Sequence, residues 1–592
     1  MRFLWGPVPT TIAPPREIAG HEVWSFGAQP GEYTDEDDAD TWESLIRRVG
    51  PDVLPDVIIW WQPEYFPFPG QGAAAAPVPL VALVTDWNLA LSALAGALRV
   101  CDYIFTDRAG VEAFERAGYR NVAFCPFWSF VPELHRLIPG LERTYDITFV
   151  GNLNHSIQRE RAAWLRRLAL LGRSRRVLIG EGIYDEDYAR LLNQSKIVFN
   201  RSIRGELNIR AYEATACGAL LFMEDGNAEI GDVFRDGNDC VLYDEENLET
   251  LIDRYLDDAE GRERIARSGQ RRVQMASYIA RQEHLLGLIA GLWPGWKGTS
   301  RGDKSSWLRV EDAEQCYWRG RHLDLGLLSN HVVEAVRHFA SAVDLDGDDP
   351  EYLSALGATR AKLAMAFPED SEEHTGGLRE AERTLAMVIE RWPDYALARY
   401  SLAKLHMDSG AVEAAAPQLG RLLLLLGKSA PTALPRSGVY YPRAYNTFTV
   451  EWEMATAKAR GPAGTANEEH ARLLSWTGWS DLGSIYVKLG LHRPGLQAYS
   501  DAIAARPDLG DPYAARAEVR ERVGDAEGAA ADFKAAMERK PFHFGAWRGL
   551  ARCLSGLGRT AELRSFREDC LTIIDACPNY AHLRPEFMAI GQ

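Results

Sequence analysis

The stretch ELNIRAYEATACGALLFMED, Glu206 to Asp225, reads as loop, short helix, glycine stop and buried strand. Its opening residues are polar: Glu206, Asn208, Arg210 and Glu213. The small residues Ala214-Thr215-Ala216-Cys217 carry the helix to Gly218, which suits the left-handed position just past a helix end. Ala219 to Met223 is apolar throughout, as a strand covered on both faces requires. Arg210 stands beside the helix start, where unpaired N–H groups and the helix dipole favour anions. An arginine there adds charge-assisted bonds to a phosphate. Glu213 lies one turn further in, where a carboxylate can accept hydrogen bonds from vicinal hydroxyls.

The same order recurs before this stretch. Tyr145–Val150 reads as a strand, Gly151-Asn152-Leu153-Asn154 as a turn, and Arg159–Leu171 as a helix. A strand at Val177–Ile179, a Gly180-Glu181-Gly182 turn and a helix at Glu186–Asn193 follow. Lys196–Asn200 is the next strand, ending in Arg201-Ser202, and Cys240–Tyr243 the last. Repeated strand, glycine turn and helix predict a doubly wound parallel sheet.

Further upstream, the apolar runs Arg2–Trp5, His21–Phe26, Asp56–Trp61, Leu80–Thr85, Tyr103–Thr106 and Val122–Cys125 predict a second such sheet. Thr34–Asp40 reads as an acidic loop, Thr41–Val49 and Ala109–Ala117 as helices. Ligands of these folds sit beyond the carboxyl ends of the strands, an edge that would gather Gly6–Thr11, Gln62, Glu64, Asp86 and Asp107. Asp86 is either a base that takes a hydroxyl proton or a helix N-cap. No GxGxxG follows the first strand, so the dinucleotide fingerprint is missing.

Asn208, Arg210, Tyr212, Glu213, Ala216 and Gly218 fall in place on the pattern N-x-R-x-[FY]-E-x-x-A-x-G. The stretch thereby resembles the donor-binding motif of GT-B glycosyltransferases, nearest the group-1-like branch with the CgeB-type spore-maturation proteins. DITFVGNLN, DYARLLNQSKIVFN and EIGDVFRDGNDCVLYDEENLETLIDRYLDD resemble the flanking segments of that family. The resemblance implies that Glu213 binds the ribose of a sugar nucleotide, that Gly151 and Asn152 lie near the donor phosphates, and that Asn200 and Arg201 line the cleft. It implies two Rossmann-like domains hinged at Pro126–Ile138 with the catalytic cleft between them. Related retaining enzymes carry two glutamates eight positions apart. Here Glu206 and Glu213 are seven apart, which leaves the role of Glu206 and the anomeric outcome open. Arg159 and Arg161 offer a phosphate-binding cation or are solvated helix-surface residues.

The chain has 592 residues, which implies several domains. A net charge of −17 argues against a nucleic-acid role resting on bulk charge. The eight cysteines show no CxxC pair and no Cys/His cluster with zinc spacing, and no carboxylate pair suits a metal. Asp37-Asp38 and Asp348-Asp349 read as solvated. The opening MRFLWGPVPTT lacks the regions of a secretory signal, and Ala73–Val100 is broken by Pro77, Pro79, Asp86 and Asn88. The expectation is a cytoplasmic protein without a transmembrane segment.

Trp479, Tyr513 and Trp547 recur every 34 residues, as do Gly490, Gly524 and Gly558, and Pro507 with Pro541. With Trp479, Leu482, Gly483 and Tyr486 in the W-x2-L-G-x2-Y pattern, this matches the tetratricopeptide repeat (TPR). Pro393–Gly410 has the same offset as Pro507–Gly524, and Val333–Pro350 reads as an earlier second helix. Insertions near Phe367–Gly377 and Lys428–His470 interrupt the array.

The expected architecture is α/β plus all-α. An acceptor-side Rossmann-like domain over 1–140 is followed by a donor domain over 141–295, a linker over 296–310 and a TPR α-solenoid over 311–592. The leading reading is a metal-independent hexosyl- or related transferase with Asp86, Glu206 and Arg210 as catalytic candidates. No cofactor is expected, and the donor substrate would be a UDP-, GDP- or dTDP-sugar. The repeats would hold a protein or peptide acceptor through Arg516, Arg520 and Arg548, or mediate self-association. The alternatives are a TPR scaffold with an inactive sugar-nucleotide domain, or another enzyme of the fold such as a nucleotide-sugar epimerase.

Overall fold

The computed structural model describes residues 1–8, 12–26, 54–66, 78–155, 157–296, 313–325, 331–427, 447–458 and 468–590. The expected Thr34–Asp40 loop with Asp37-Asp38, the Thr41–Val49 helix, Pro9–Thr11 and nearly all of the 296–310 linker lie outside the described residues.

Seven strands form the first sheet: β1 (Arg2–Gly6), β2 (Glu17–Ile18), β3 (His21–Ser25), β4 (Val57–Trp61), β5 (Leu80–Leu83), β6 (Tyr103–Thr106) and β7 (Val122–Phe124). Their order is β2-β3-β1-β4-β5-β6-β7, parallel throughout except for β2 against β3. Val57 to Trp60 and Leu80 to Leu83 are buried without alternation, because helices cover both faces of a parallel sheet. The two-residue β2 escapes sequence reading, since so short a strand has no periodicity.

The second sheet has β8 (Tyr145–Val150), β9 (Val177–Gly180), β10 (Ser195–Phe199), β11 (Leu220–Glu224) and β12 (Val241–Tyr243). All are parallel, in the order β12-β11-β10-β8-β9. The chain passes from β8 outward to β9, then returns across β8 to β10. The strand order therefore reverses between β8 and β10, and a crevice opens there at the carboxyl ends.

Helices from Ala313 onward pair antiparallel. Ala396–Asp408 precedes Val412–Leu426, Glu468–Lys488 precedes His492–Ala505, Asp511–Arg522 precedes Ala526–Arg539, and Phe544–Gly556 precedes Thr560–Ala576. The turns carry Gly410, Gly490, Gly524 and Gly558, all with φ between +68° and +86°, where a side chain would be strained. The 34-residue period thus fixes a backbone conformation as well as a packing pattern.

The chain forms two compact units, each discontinuous in sequence. The first joins residues 1–125 to 285–506. In it the Thr447–Lys458 helix carries Glu453, whose buried carboxylate accepts from Ser92 N at 2.7 Å and Ser92 Oγ at 2.6 Å. Arg116 donates to Ala457 O at 2.9 Å, and His322 Nε2 lies 2.7 Å from Pro63 O.

The second unit joins residues 126–284 to 507–592. One apolar core runs from Ile147, Phe149, Leu165, Ile197 and Phe222 of the sheet region into Phe542, Trp547, Ile573, Ile574, Tyr580 and Phe587 of the last repeats. A sheet region complete by about residue 295 is the sequence-based expectation. The shared core adds to it: side chains from the end of the chain join the core of the second sheet beside the Arg159–Leu170 helix and the edge strand β9.

Candidate functional site

The stretch that opened the sequence reading folds as expected at its end. The Ile209–Ala216 helix stops at Cys217, and Gly218 takes φ +77° before β11. Its beginning is built differently from a solvent-facing anion site. Asn208 is the N-cap residue, yet its side chain makes no bond to the helix. Instead Asn208 Oδ1 accepts from Asn200 Nδ2 at 2.9 Å. The first turn is thereby left open at its own cap.

Arg210 is buried and spans the switch point. Its Nε donates to Val150 O at the end of β8 at 2.6 Å, and its Nη1 donates to Asn200 Oδ1, just past β10, at 2.7 Å. The guanidinium sits 4.3 Å from the centre of the Phe149 ring. Burial pulls its pKa down, opposed by Tyr188, Glu213, Glu206 and Glu224. A Cβ on Gly151 would stand 2.1 Å from Arg210 Nη2, so only glycine at 151 permits this approach. Asn200, Asn208 and Arg210 thus form one bonded group, with the backbone of Gly151 packed against it.

Two further arginines border it. Arg161 donates from Nη2 to Arg201 O at 2.9 Å and lies 5.5 Å from the Phe149 ring centre. Burial, helped by the neighbouring Arg210 charge, holds its pKa down at about 9. Arg201 lies 4.6 Å from the Trp164 ring centre. Among the described residues the Nε atoms of Arg161 and Arg201 are buried without a hydrogen-bond partner. Buried donors of that kind cost stability unless an acceptor meets them. The edge therefore carries positive charge, with two buried donors left unpaired behind it.

Carboxylates balance that charge. Glu224, the last residue of β11, accepts from Ser202 N at 3.0 Å, from Ser202 Oγ, and from Asn227 Nδ2 at 3.2 Å. Glu206 accepts from Ile203 N at 3.3 Å and Arg204 N at 2.8 Å, and so braces its own loop. Glu213 is buried with His135 Nε2 3.5 Å away. Burial pushes its carboxyl up to about 7, moderated by a hydrogen bond with Tyr188 and by Arg210. The same burial holds His135 down at about 4, so its ring is neutral at pH 7. Asn152 stands apart from this group, its Oδ1 accepting from Asn154 N at 2.7 Å. Arg159 is paired with Asp508 at 2.8 Å.

Asp86 belongs to the first unit, just past β5. It precedes a short turn at Trp87–Leu89 but makes no side-chain cap to it. Its Oδ2 accepts instead from Tyr65 OH at 2.6 Å. Beside it Glu64 accepts from Thr85 N and Asp86 N, each at 2.7 Å, and from Thr85 Oγ1. Burial raises the Glu64 carboxyl to about 7. Asp107 is the residue that caps, accepting from Gly110 N at 2.6 Å at the start of the Arg108–Arg116 helix.

Comparison with known families adds to this geometry. Residues 129–287 match the glycosyl transferase-like family. That match spans the whole second sheet with the Arg210 group. Residues 371–433 and 514–562 match a tetratricopeptide repeat family. The chain therefore carries a glycosyl transferase-like domain and tetratricopeptide repeats.

Solved structures similar to the chain include repeat proteins. They include MamA from Desulfovibrio magneticus (15% identity, 36% of this chain, 88% of that chain, TM-score 0.24). YrrB, titled a TPR protein with an unusual peptide-binding site, has 14% identity over 41% of this chain and 94% of its own, at TM-score 0.27. A tetratricopeptide repeat protein from Parabacteroides merdae has 13% identity over 47% of this chain and 93% of its own, at TM-score 0.28. The search of curated proteins gives no match. Among the described residues no helix is long and apolar enough to cross a membrane, and no three His, Cys, Asp or Glu side chains gather as metal ligands.

Arg516, Arg520 and Arg548 do not stand free. Arg516 grips Asp532 at 2.8 and 2.7 Å, Arg520 reaches the same carboxylate at 3.1 Å, and Arg548 pairs with Glu586 at 2.7 Å. The expectation that these cations hold an acceptor is corrected by those pairs. Their charge is spent inside the last repeats.

Proposed function

We propose that this chain is a glycosyltransferase of the two-domain GT-B type. It transfers a hexosyl or related group from a UDP-, GDP- or dTDP-sugar to a protein or peptide acceptor, without a metal or cofactor. The observation that carries the reading is Arg210 tied across the β8–β10 switch point, inside a domain matching the glycosyl transferase-like family.

In this reading the donor diphosphate occupies the edge formed by Gly151, Asn152, Asn200 and Arg201, at the start of the Ile209–Ala216 helix. Negative charge grows on the diphosphate as its bond to the anomeric carbon breaks. Arg210 and the helix start offset that charge, and donors already fixed in place need no rearrangement as it develops. Arg161 and Arg201 add positive charge beside it. Glu213 accepts hydrogen bonds from the ribose hydroxyls. Within the first unit Asp86, which accepts from Tyr65 OH and stands beside the Glu64 loop, is the candidate base for an acceptor hydroxyl. Glu206, bound to the amides of residues 203 and 204, orders the loop before the helix. The acceptor is held by the repeats, which raise its effective concentration at the site, through groups other than Arg516, Arg520 and Arg548.

Thermal denaturation of the full chain with each sugar nucleotide tests this. A ligand at about 100 times its dissociation constant adds about 2.7 kcal/mol. The expected outcome is a raised transition for one donor class, lost in Arg210→Lys. No shift with any UDP-, GDP- or dTDP-sugar overturns the reading.

A further inference from the structure

The turn following β8 is held from the far end of the chain. Within the second unit the His155 ring stacks on Phe542, with centroids 4.2 Å apart and planes 12° from parallel. His155 Nε2 lies 2.7 Å from Tyr580 OH. Burial, with Lys540 nearby, holds His155 down at about 4, so at pH 7 this is a bond between neutral groups. Tyr580 is wedged by Phe542 and Phe544, at 5.6 and 4.8 Å between centroids.

The preceding residue reaches the neighbouring turn. Asn579 Oδ1 accepts from Glu181 N at 3.0 Å, and Asn579 Nδ2 donates to Glu181 O at 3.1 Å. Glu181 in turn accepts from Leu153 N through Oε1 at 3.1 Å. Gly151 N donates to Gly180 O at 3.0 Å. Asn579 and Tyr580 thus fix both glycine turns, after β8 and after β9, through bonds to positions 181 and 155. The first residue of the β8 turn is Gly151, against which Arg210 Nη2 rests.

We propose that Asn579 and Tyr580 are positioning residues for the nucleoside diphosphate part of the donor. They set the backbone of residues 151–155 through Glu181 and His155, and touch no reacting atom themselves. The last repeat is then a working part of the donor-binding unit as well as a cover for its core. This inference rests on the donor-site reading given above.

The test uses the full chain, with UDP, GDP and dTDP as probes and calorimetric titration well below the unfolding transition. Tyr580→Phe removes one hydroxyl, and Asn579→Ala removes the reciprocal pair to Glu181. Tyr580→Phe loses one neutral hydrogen bond and Asn579→Ala two, and affinity for the nucleoside diphosphate that binds should fall about fivefold in the first and further in the second. For donor hydrolysis KM should rise by the same factor with kcat unchanged. Amide exchange should quicken in 151–155 and 180–182 and hold elsewhere in the sheet. Arg552→Ala, which removes an exposed pair with Glu521, should leave affinity unchanged. Where a variant lowers Tm, the titration at 10 °C decides. If the wild type binds a diphosphate and both variants bind it equally well, the positioning role is overturned while the donor site stands. If the wild type binds none of the three, the donor reading falls and this inference with it.

Discussion

Arg210 Nη2 rests against the backbone of Gly151, so closely that a Cβ at residue 151 would come within 2.1 Å of it. The nitrogen is the far end of a long side chain, which could ordinarily swing aside. Here it cannot do so cheaply, because Nε and Nη1 are bonded to Val150 O and Asn200 Oδ1 and the group is buried.

Gly151→Ala should therefore cost about 1–3 kcal/mol of stability, the range for inserting a carbon into packed surroundings. It should weaken sugar-nucleotide affinity at least about tenfold, by pushing the guanidinium off its acceptors. Calorimetric titration beside the wild type checks this. Unchanged affinity would show that the Arg210 position does not matter to the ligand.

What could be read of this site from sequence, and what could not, follows from the distance of each partner along the chain. Gly218 was legible because its role is local: it ends its own helix. The parallel sheets were legible because continuous apolar runs such as Ile58–Trp60 have one common cause. The buried state of Arg210 was not, since its acceptors are 60 and 10 residues away. For Arg161, read above as a phosphate-binding cation or a solvated surface residue, the sequence does carry a signal of burial. Leu165 and Leu168 follow it at helical spacing, so Arg161 shares the inward stripe of the Arg159–Leu170 helix. Asp532 carried a similar signal, lying among Ala529, Ala530, Phe533 and Ala536 on a buried face. Nothing local announces that Phe542 and Tyr580 belong to the core of a sheet more than 300 residues upstream.

Asp532 gives a contrast within the repeats. Its carboxylate is buried, whereas Glu586 and Arg548 are exposed. Arg516→Ala leaves Asp532 with Arg520 alone and should lower stability by about 2 kcal/mol. Arg548→Ala breaks an exposed pair and should cost less than about 1 kcal/mol. Chemical denaturation followed by tryptophan fluorescence compares the two. Equal losses would mean that burial does not set the worth of these pairs.

Glu453 should make the first unit sensitive to pH. Burial raises its carboxyl from 4.5 to about 7, against hydrogen bonds from Ser92. Between those values the folded chain keeps a proton that the unfolded chain releases. The contribution is full below about pH 4.5 and is lost as pH rises through about 7. Glu453→Gln carries no proton to lose, so its Tm should fall less than that of the wild type between pH 5 and pH 8. Parallel slopes for the two proteins across that range would place the pH sensitivity elsewhere.

The last repeats should be indispensable to the second sheet. Removing residues 507–592 strips Phe542, Trp547, Ile573, Ile574, Tyr580, Leu583 and Phe587 from a core they share with Ile147, Phe149 and Phe222. Each large apolar side chain that stays buried contributes about 1.5–3 kcal/mol. Even if half of that burial is among the repeats themselves, the loss is comparable with a whole domain's stability of about 5–15 kcal/mol. It also removes the Asn579 and Tyr580 bonds that hold the turns after β8 and β9. A chain ending at Arg506 should therefore lose protection from amide exchange across β8 to β12, while β4, β5 and β6, whose partners all lie in the first unit, keep theirs. The measurement is exchange mass spectrometry on the full and shortened chains. Native protection of β8 to β12 in the shortened chain would mean that the sheet supports itself, and that the shared core adds contact without supplying the stability.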